Sequence, residues 1–321
     1  MYTTHVGSLP LDYSRTNVAK AFLDMVSIGI DYPPYPQLRG FIDIFLQPLL
    51  EQRIIGKRGE FYFLLQEEPV EIDVKEYIPE ESIIVTNLVS TKSISNIKGL
   101  RAPITGPFTL ASKIFIKRPS FMNSLLSRKK QTLEFMVDLA RSFALTFKKF
   151  GYDFLVLDEP ILGTIVGVKR LLFNYKPEDI LSGLDRVFEG LYTLRGIHVC
   201  GRISKGLVEI LLNLENIEVL DHEFADSPEN LRNYDVEVLE SHDKFIAFGC
   251  LSSKKAIVER KEEILSLVKS GLSRYGRRLL MIKPDCGLGG LRGATSNPIL
   301  DYKIAIDKLR RIVEVAREVE Y

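Results

Sequence analysis

The chain has 321 residues, 45% of them hydrophobic and 26% charged, with a formal net charge of +1. This is a globular composition with ample apolar material for a core; it gives no global electrostatic case for a nucleic-acid partner. No apolar segment approaches the roughly 20 residues that cross a bilayer, so no membrane partner is expected. The opening "MYTTHVGSLPLDYSR" lacks a basic stretch leading into an apolar core, and three scattered cysteines make no disulfide framework. The expectation is a cytoplasmic protein with reduced thiols.

Apolar runs alternate with helical stretches along the chain. "TTHVGSL" (3–9) is followed by the amphipathic "SRTNVAKAFLDMVSIG". The segment 57–98 is different: "EFYFLLQ" and "ESIIVTNLV" read as strands, with charged, Pro-containing sequence between them. "LRAPITG" (100–106) reads as a strand leading into a long helical region that ends near Lys149. Then come "DFLVLDEP", "GIHVCG", "IEVLDHEFA", "KFIAFGCL" and "RRLLMIKPDCG", most of them separated by helical patterns such as 177–194 and 255–272, and a closing helix. β-Branched runs alternating with amphipathic helices predict a parallel sheet buried on both faces. Counting one strand from 57–98, about eight β-like runs are present. A single (β/α)8 TIM barrel over 1–321, with an insertion near 57–98, fits best; an open doubly wound sheet is the alternative.

The residues that carry chemistry fall at one end of these runs. His198 and Cys200 close "GIHVCG", Asp158 and Glu159 follow "FLVL", Glu223 follows "IEVLDH", and Cys286 follows "LLMIKPD". In a barrel these strand ends converge on the active face. Period-two alternation points His198 and Cys200 to the same side. An imidazole, two thiols and a carboxylate are a donor set that zinc takes readily, and two thiolates favour it over magnesium or calcium. The competing reading makes the cysteines buried small hydrophobes and His198 a core histidine.

"TTHVGSLP", "ITGPFT", "LVLDEP", "HVC", "HEFADS" and "KPDCGLG", in this order, resemble the catalytic C-terminal barrel of cobalamin-independent methionine synthases. The resemblance covers nearly the whole chain and is weakest over 57–98. It implies a (β/α)8 fold and a zinc ion held by His198, Cys200, Glu223 and Cys286. It also implies methyl transfer to the thiol of homocysteine to form methionine. Glu223, the oxygen ligand, is the one expected to yield to substrate sulfur. By the same resemblance, Ser8 binds the amino-acid backbone of homocysteine or methionine and Asp158 pairs with its ammonium. Asp158 as a helix N-cap is the structural alternative. Lining up "FIDIF" (41–45) with the family puts Gln37 at the position of a substrate-binding Glu. His5 lies near Ser8 and is expected in the substrate pocket.

The sequence also departs from the family. Full-length enzymes have two barrels and this chain reads as one, so a partner protein is expected to replace the missing N-terminal barrel. The family's acid His, which assists a leaving folate nitrogen, falls in "GCLSSK" (249–254), where Lys254 stands nearest. The methyl donor is therefore expected to be a methyl-corrinoid, free or protein-bound, or a methyl-pterin. Alkyl transfer to another thiol such as coenzyme M is one alternative; a non-catalytic zinc subunit of a methyl-transfer complex is another. Cys250 reads as packing, His222 as pointing away from the metal, His242 as lying at the stability end, and Arg292 as a contact for an anionic group.

Overall fold

A computed structural model describes residues 1–65, 77–167 and 171–319. Its strands in chain order are β1 (Tyr2–Thr3), β2 (Ile55–Arg58), β3 (Phe61–Leu64), β4 (Arg101–Thr105), β5 (Ile114–Phe115), β6 (Phe154–Asp158), β7 (Leu194–Val199), β8 (Val219–Glu223), β9 (Phe245–Leu251) and β10 (Leu279–Pro284). Seven of them form one parallel sheet in the order β1-β10-β9-β8-β7-β6-β4. The chain's first strand thus lies beside its last.

The sheet is curled, and residues 32–37 reach both of its edges. Bridges link Tyr32 to Thr4 and Gln37 to Ser8 on one side, and Pro34 to Arg101 on the other. The segment "YPPYPQ" carries three prolines, which cannot donate to a ladder. Its contacts are therefore isolated bridges rather than a continuous strand.

The parallel strands are buried on both faces. Outward side chains pack with the helices in one large core, while Phe154, Val156, Val219, Ala247 and Met281 form a separate cluster. The helix Arg15–Ile28 shows how an amphipathic run is fixed locally. Ser14 accepts the Asn17 N–H at its N-terminus, and Gly29, at φ 89°, ends it.

The segment 57–98 corrects the sequence reading. β2 and β3 are an antiparallel pair and, with β5, make a separate three-stranded sheet, so neither supplies a strand to the main sheet. "ESIIVTNLV" is helical, within Glu80–Lys92. Pro79 precedes two acidic residues in its first turn, an arrangement that suits a helix start. Glu81, buried, is held by Arg39 through two bonds of 2.7 and 2.5 Å. The remainder of the expected insertion, 66–76, lies outside the described residues. The helical region before Lys149 is also interrupted, by β5 and short 3-10 turns, before a π turn at 132–136 leads into Val137–Lys149. No described helix is long and apolar enough to cross a membrane.

Candidate metal centre

β7 ends by presenting His198, and Cys200 follows two residues later with the same facing. Cys286 follows β10, two strands further round from β8. His198 Nε2 lies 2.9 Å from Cys200 Sγ, which lies 3.3 Å from Cys286 Sγ. One donor atom from each residue falls within 4.8 Å of the others, so the three could hold a metal ion together. The two thiols share a hydrogen bond that holds Cys286 well below its ordinary pKa and pushes Cys200 up.

Glu223, the last residue of β8, is not one of this group of three, but it lines the same cleft of about 480 Å³. Pro160, Gly201, Ser253 and Lys254 line it too. Glu223 is 2% exposed, and among the described residues its Oε2 has no hydrogen-bond partner. A buried carboxylate oxygen without a hydrogen bond is costly unless a cation meets it. Lys254 Nζ is 3.6 Å from this oxygen and 3.8 Å from Asp226 Oδ2, with its side chain 67% exposed. Cys200, Cys286 and Glu223 line one cleft and His198 meets the two cysteines, so an imidazole nitrogen, two sulfurs and a carboxylate are donors that suit a metal ion.

Beneath the site lies a charged group that sequence reasoning missed. His198 Nδ1 is 2.7 Å from Asp221 Oδ1. Asp221 also meets Lys283 Nζ at 2.7 Å and Arg101 Nη2 at 2.9 Å, and all three side chains are fully buried. Burial works against a charged His198, but the Asp221 carboxylate raises its pKa to about 10. The signal was available: Asp221 lies two residues before Glu223 and so shares its facing. His222, between them, points away. It stacks on Tyr234 and bonds Val199 O and Tyr234 Oη.

Loops lock the strand ends that carry these residues. Asp285 accepts N–H bonds from Phe224, Ala225 and Asp226 at 3.0, 3.1 and 2.6 Å, tying the turn after Glu223 to the turn holding Cys286. Asn230 bonds the carbonyls of Gly201 and Glu223.

The expected substrate residues lie nearby but outside the lining of the cleft. Ser8 bridges Gln37, and its Oγ accepts the Gly289 N–H at 3.2 Å from the turn after Cys286. Gln37 is buried, with Nε2 3.3 Å from Tyr35 Oη. Asp158 is buried, its Oδ1 has no hydrogen-bond partner among the described residues, and burial raises its pKa to about 7 against the pull of His198 and Arg101. It does not cap a helix. Glu159 does that instead, accepting the backbone N–H of Phe108 and Thr109 and the Thr109 hydroxyl. His5 is fully buried with neither ring nitrogen bonded among the described residues, and burial, then Arg101 and Lys283, lower its pKa to about 3. Arg292 turns back to Asp12 and to Leu11 O. Cys250 is buried with Sγ 3.4 Å from Lys283 O, and His242 sits exposed at a helix end.

A family model described as "Cobalamin-independent synthase, Catalytic domain" matches residues 78–318. The chain belongs to the cobalamin-independent methionine synthase family. It is a methyltransferase. Within the family match lie His198, Cys200, Glu223 and Cys286, together with Asp158 and Lys254; His5, Ser8 and Gln37 precede it. A methionine synthase of Methanocaldococcus jannaschii is 26% identical over 348 residues, spanning 99% of each chain. One of Methanothermobacter marburgensis is 26% identical, covering 99% of this chain and 100% of its own. Solved structures share the fold. A B12-independent methionine synthase from Shewanella, in complex with selenomethionine, superposes with a TM-score of 0.66 at 18% identity, covering 98% of this chain and 97% of that one. A Listeria monocytogenes structure described as a vitamin-B12-independent methionine synthase gives 0.70 at 15% identity, covering 96% and 87%.

Proposed function

We propose that this chain is a single zinc-dependent (β/α)8 barrel, closed through 32–37, that methylates homocysteine to methionine in the cytoplasm. The observation that carries the reading is the meeting of His198, Cys200 and Cys286 within 4.8 Å in a member of this family. Glu223 completes the donor set. Its buried oxygen, without a hydrogen bond and met by the exposed Lys254 at 3.6 Å, supports a role as the ligand that gives way, since oxygen competes poorly at a site with two thiolates. Zinc held here supplies Lewis-acid chemistry that keeps a coordinated thiol deprotonated at neutral pH.

The chain's own residues do the rest. Asp158, freed from capping by Glu159 and left with an unpaired oxygen, suits a substrate ammonium. Ser8 and Gln37, side by side after the first strand and in the Pro-rich segment, suit the substrate's amino-acid end, as does His5, buried three residues before Ser8. A carboxylate at that end argues for an amino-acid thiol over coenzyme M, whose sulfonate would need Arg or Lys. Lys254 stands at the mouth as an ammonium, beside the two acids Glu223 and Asp226, where it can meet the donor. A methyl-corrinoid, free or on a partner protein, is the donor this site suits better than a methyl-pterin, because cobalt leaves without a proton.

The experiment is a methylation assay on zinc-loaded protein with methylcobalamin, offering homocysteine and coenzyme M separately. Methionine formation well above coenzyme M methylation is expected. Preference for coenzyme M would overturn the substrate assignment, and no transfer to either thiol would favour the non-catalytic zinc subunit.

A further inference from the structure

The interior of the sheet holds a charge cluster that the methyl-transfer reading does not use. Asp221 is fully buried and receives three partners: His198 Nδ1 at 2.7 Å, Lys283 Nζ at 2.7 Å and Arg101 Nη2 at 2.9 Å. The cluster draws on four strands, since Arg101 opens β4, His198 lies on β7, Asp221 on β8 and Lys283 on β10. His198 and Asp221 are register partners, so the backbone alone sets the imidazole opposite the carboxylate. Lys283 is held further by the carbonyls of Pro284 and Asp285, both at 2.9 Å. A carboxylate fixed by two cations cannot turn away from the ring it faces.

From this we infer that Asp221, anchored by Lys283 and Arg101, is a positioning residue that dictates which nitrogen of His198 faces the metal. The inference rests on the metal reading above. A ionised carboxylate only accepts hydrogen bonds. Its bond to Nδ1 therefore keeps a proton on Nδ1, so that Nε2, which faces Cys200, is the nitrogen that would give up its proton and offer its lone pair to a metal. An outer carboxylate of this kind fixes both tautomer and ring plane of a metal-bound histidine. The two cations add a second effect. Against one carboxylate they leave one positive charge beneath a donor set of two thiols and a carboxylate, all of which bind metal as anions. Burying such a surplus would be unfavourable without anions above it.

The test uses the full-length protein in three forms: wild type, Asp221→Asn, and Asp221→Asn/Lys283→Gln. The double variant removes one negative and one positive charge together, so the buried cation surplus stays as in wild type. Zinc affinity is measured by chelator competition, unfolding by thermal melting, and the ring state of His198 in zinc-loaded protein by nitrogen-15 NMR. In the wild type, the proton should sit on Nδ1 with Nε2 bound to zinc. Asp221→Asn should lose roughly 10- to 100-fold in zinc affinity. The double variant should regain melting temperature without regaining that affinity. A wild-type ring bound to zinc through Nδ1 would overturn the inference whatever the variants do. So would a double variant whose zinc affinity recovers along with its stability, because Asp221 would then act on folding alone. Wild-type protein that binds no zinc sinks the metal reading and this inference together; zinc-binding wild type with unaffected variants sinks only this one.

Discussion

Gly287 packs against Ser8 where the last strand of the sheet returns to the first: a methyl group added at Gly287 would lie 2.1 Å from Ser8 Oγ. The turn also bonds this residue twice, Leu288 N–H to Ser8 O and Gly289 N–H to Ser8 Oγ. The turn that carries Cys286 therefore also positions Ser8. Gly287→Ala should displace the Ser8 hydroxyl and cost about 1–3 kcal/mol from crowding and a lost hydrogen bond. Homocysteine binding, read by titration calorimetry, should weaken. Adding Ser8→Ala should restore the melting temperature but not the binding. If the single variant binds homocysteine normally, Ser8 does not hold the substrate.

Much of this site was legible in the sequence because its residues sit at strand ends in short motifs. The facing of His198 and Cys200 follows from strand alternation, as does the opposite facing of His222. What could not be read was set by contacts far apart in sequence. Asp221 looks like a charge inside a strand until Lys283 and Arg101 arrive from distant positions to neutralise it. "ESIIVTNLV" has a β-branched look, yet a proline start, acidic first turn and the Arg39–Glu81 pair make it helical. The Pro-rich 32–37 shows no strand pattern because prolines break the ladder that would reveal one, although its bridges reach both sheet edges.

Metal binding should depend on the downstream cysteine. Cys286 is the proposed ligand from furthest along the chain, and Cys200 and His198 alone would leave too few soft donors. Cys286→Ser should lose most of its zinc, measured by elemental analysis after dialysis. Wild-type zinc content in that variant would remove Cys286 from the ligand set.

Substrate recognition should depend on Asp158. The carboxyl is buried and Oδ1 is unpaired, so an incoming ammonium would be its natural partner. Asp158→Asn keeps the shape and loses the charge. Truncating such a buried charge pair costs on the order of 2–5 kcal/mol of binding. The homocysteine requirement should rise accordingly while zinc content holds. Equal affinity in variant and parent would make Asp158 a structural residue.

The neighbouring Glu159 should behave in the opposite way. It accepts three hydrogen bonds at the start of the helix Pro107–Lys113, where the helix dipole also favours an anion. Glu159→Ala would leave buried N–H groups unpaired, at a cost on the order of 3 kcal/mol. Denaturant unfolding should show that loss, with the homocysteine requirement of the surviving folded protein little changed. A stable variant with weakened substrate binding would reverse the roles assigned to these adjacent acids.

The methyl donor is the last choice, and it turns on a proton. A pterin nitrogen leaves as a poor anion unless an acid protonates it, help worth roughly 10²–10⁴ in rate. Cobalt leaves as a stable Co(I) species and takes no proton. The group at the mouth of this cleft is Lys254, and the adjacent carboxylates of Glu223 and Asp226 favour its charged form, which makes it a reluctant acid. With homocysteine and saturating donor, methylcobalamin should therefore outrun a methyl-pterin. Lys254→Met should leave the cobalamin rate nearly unchanged and lower whatever pterin rate remains. Faster turnover with a methyl-pterin, with no second protein added, would overturn the corrinoid preference. An unchanged pterin rate in Lys254→Met would free Lys254 from any part in proton delivery.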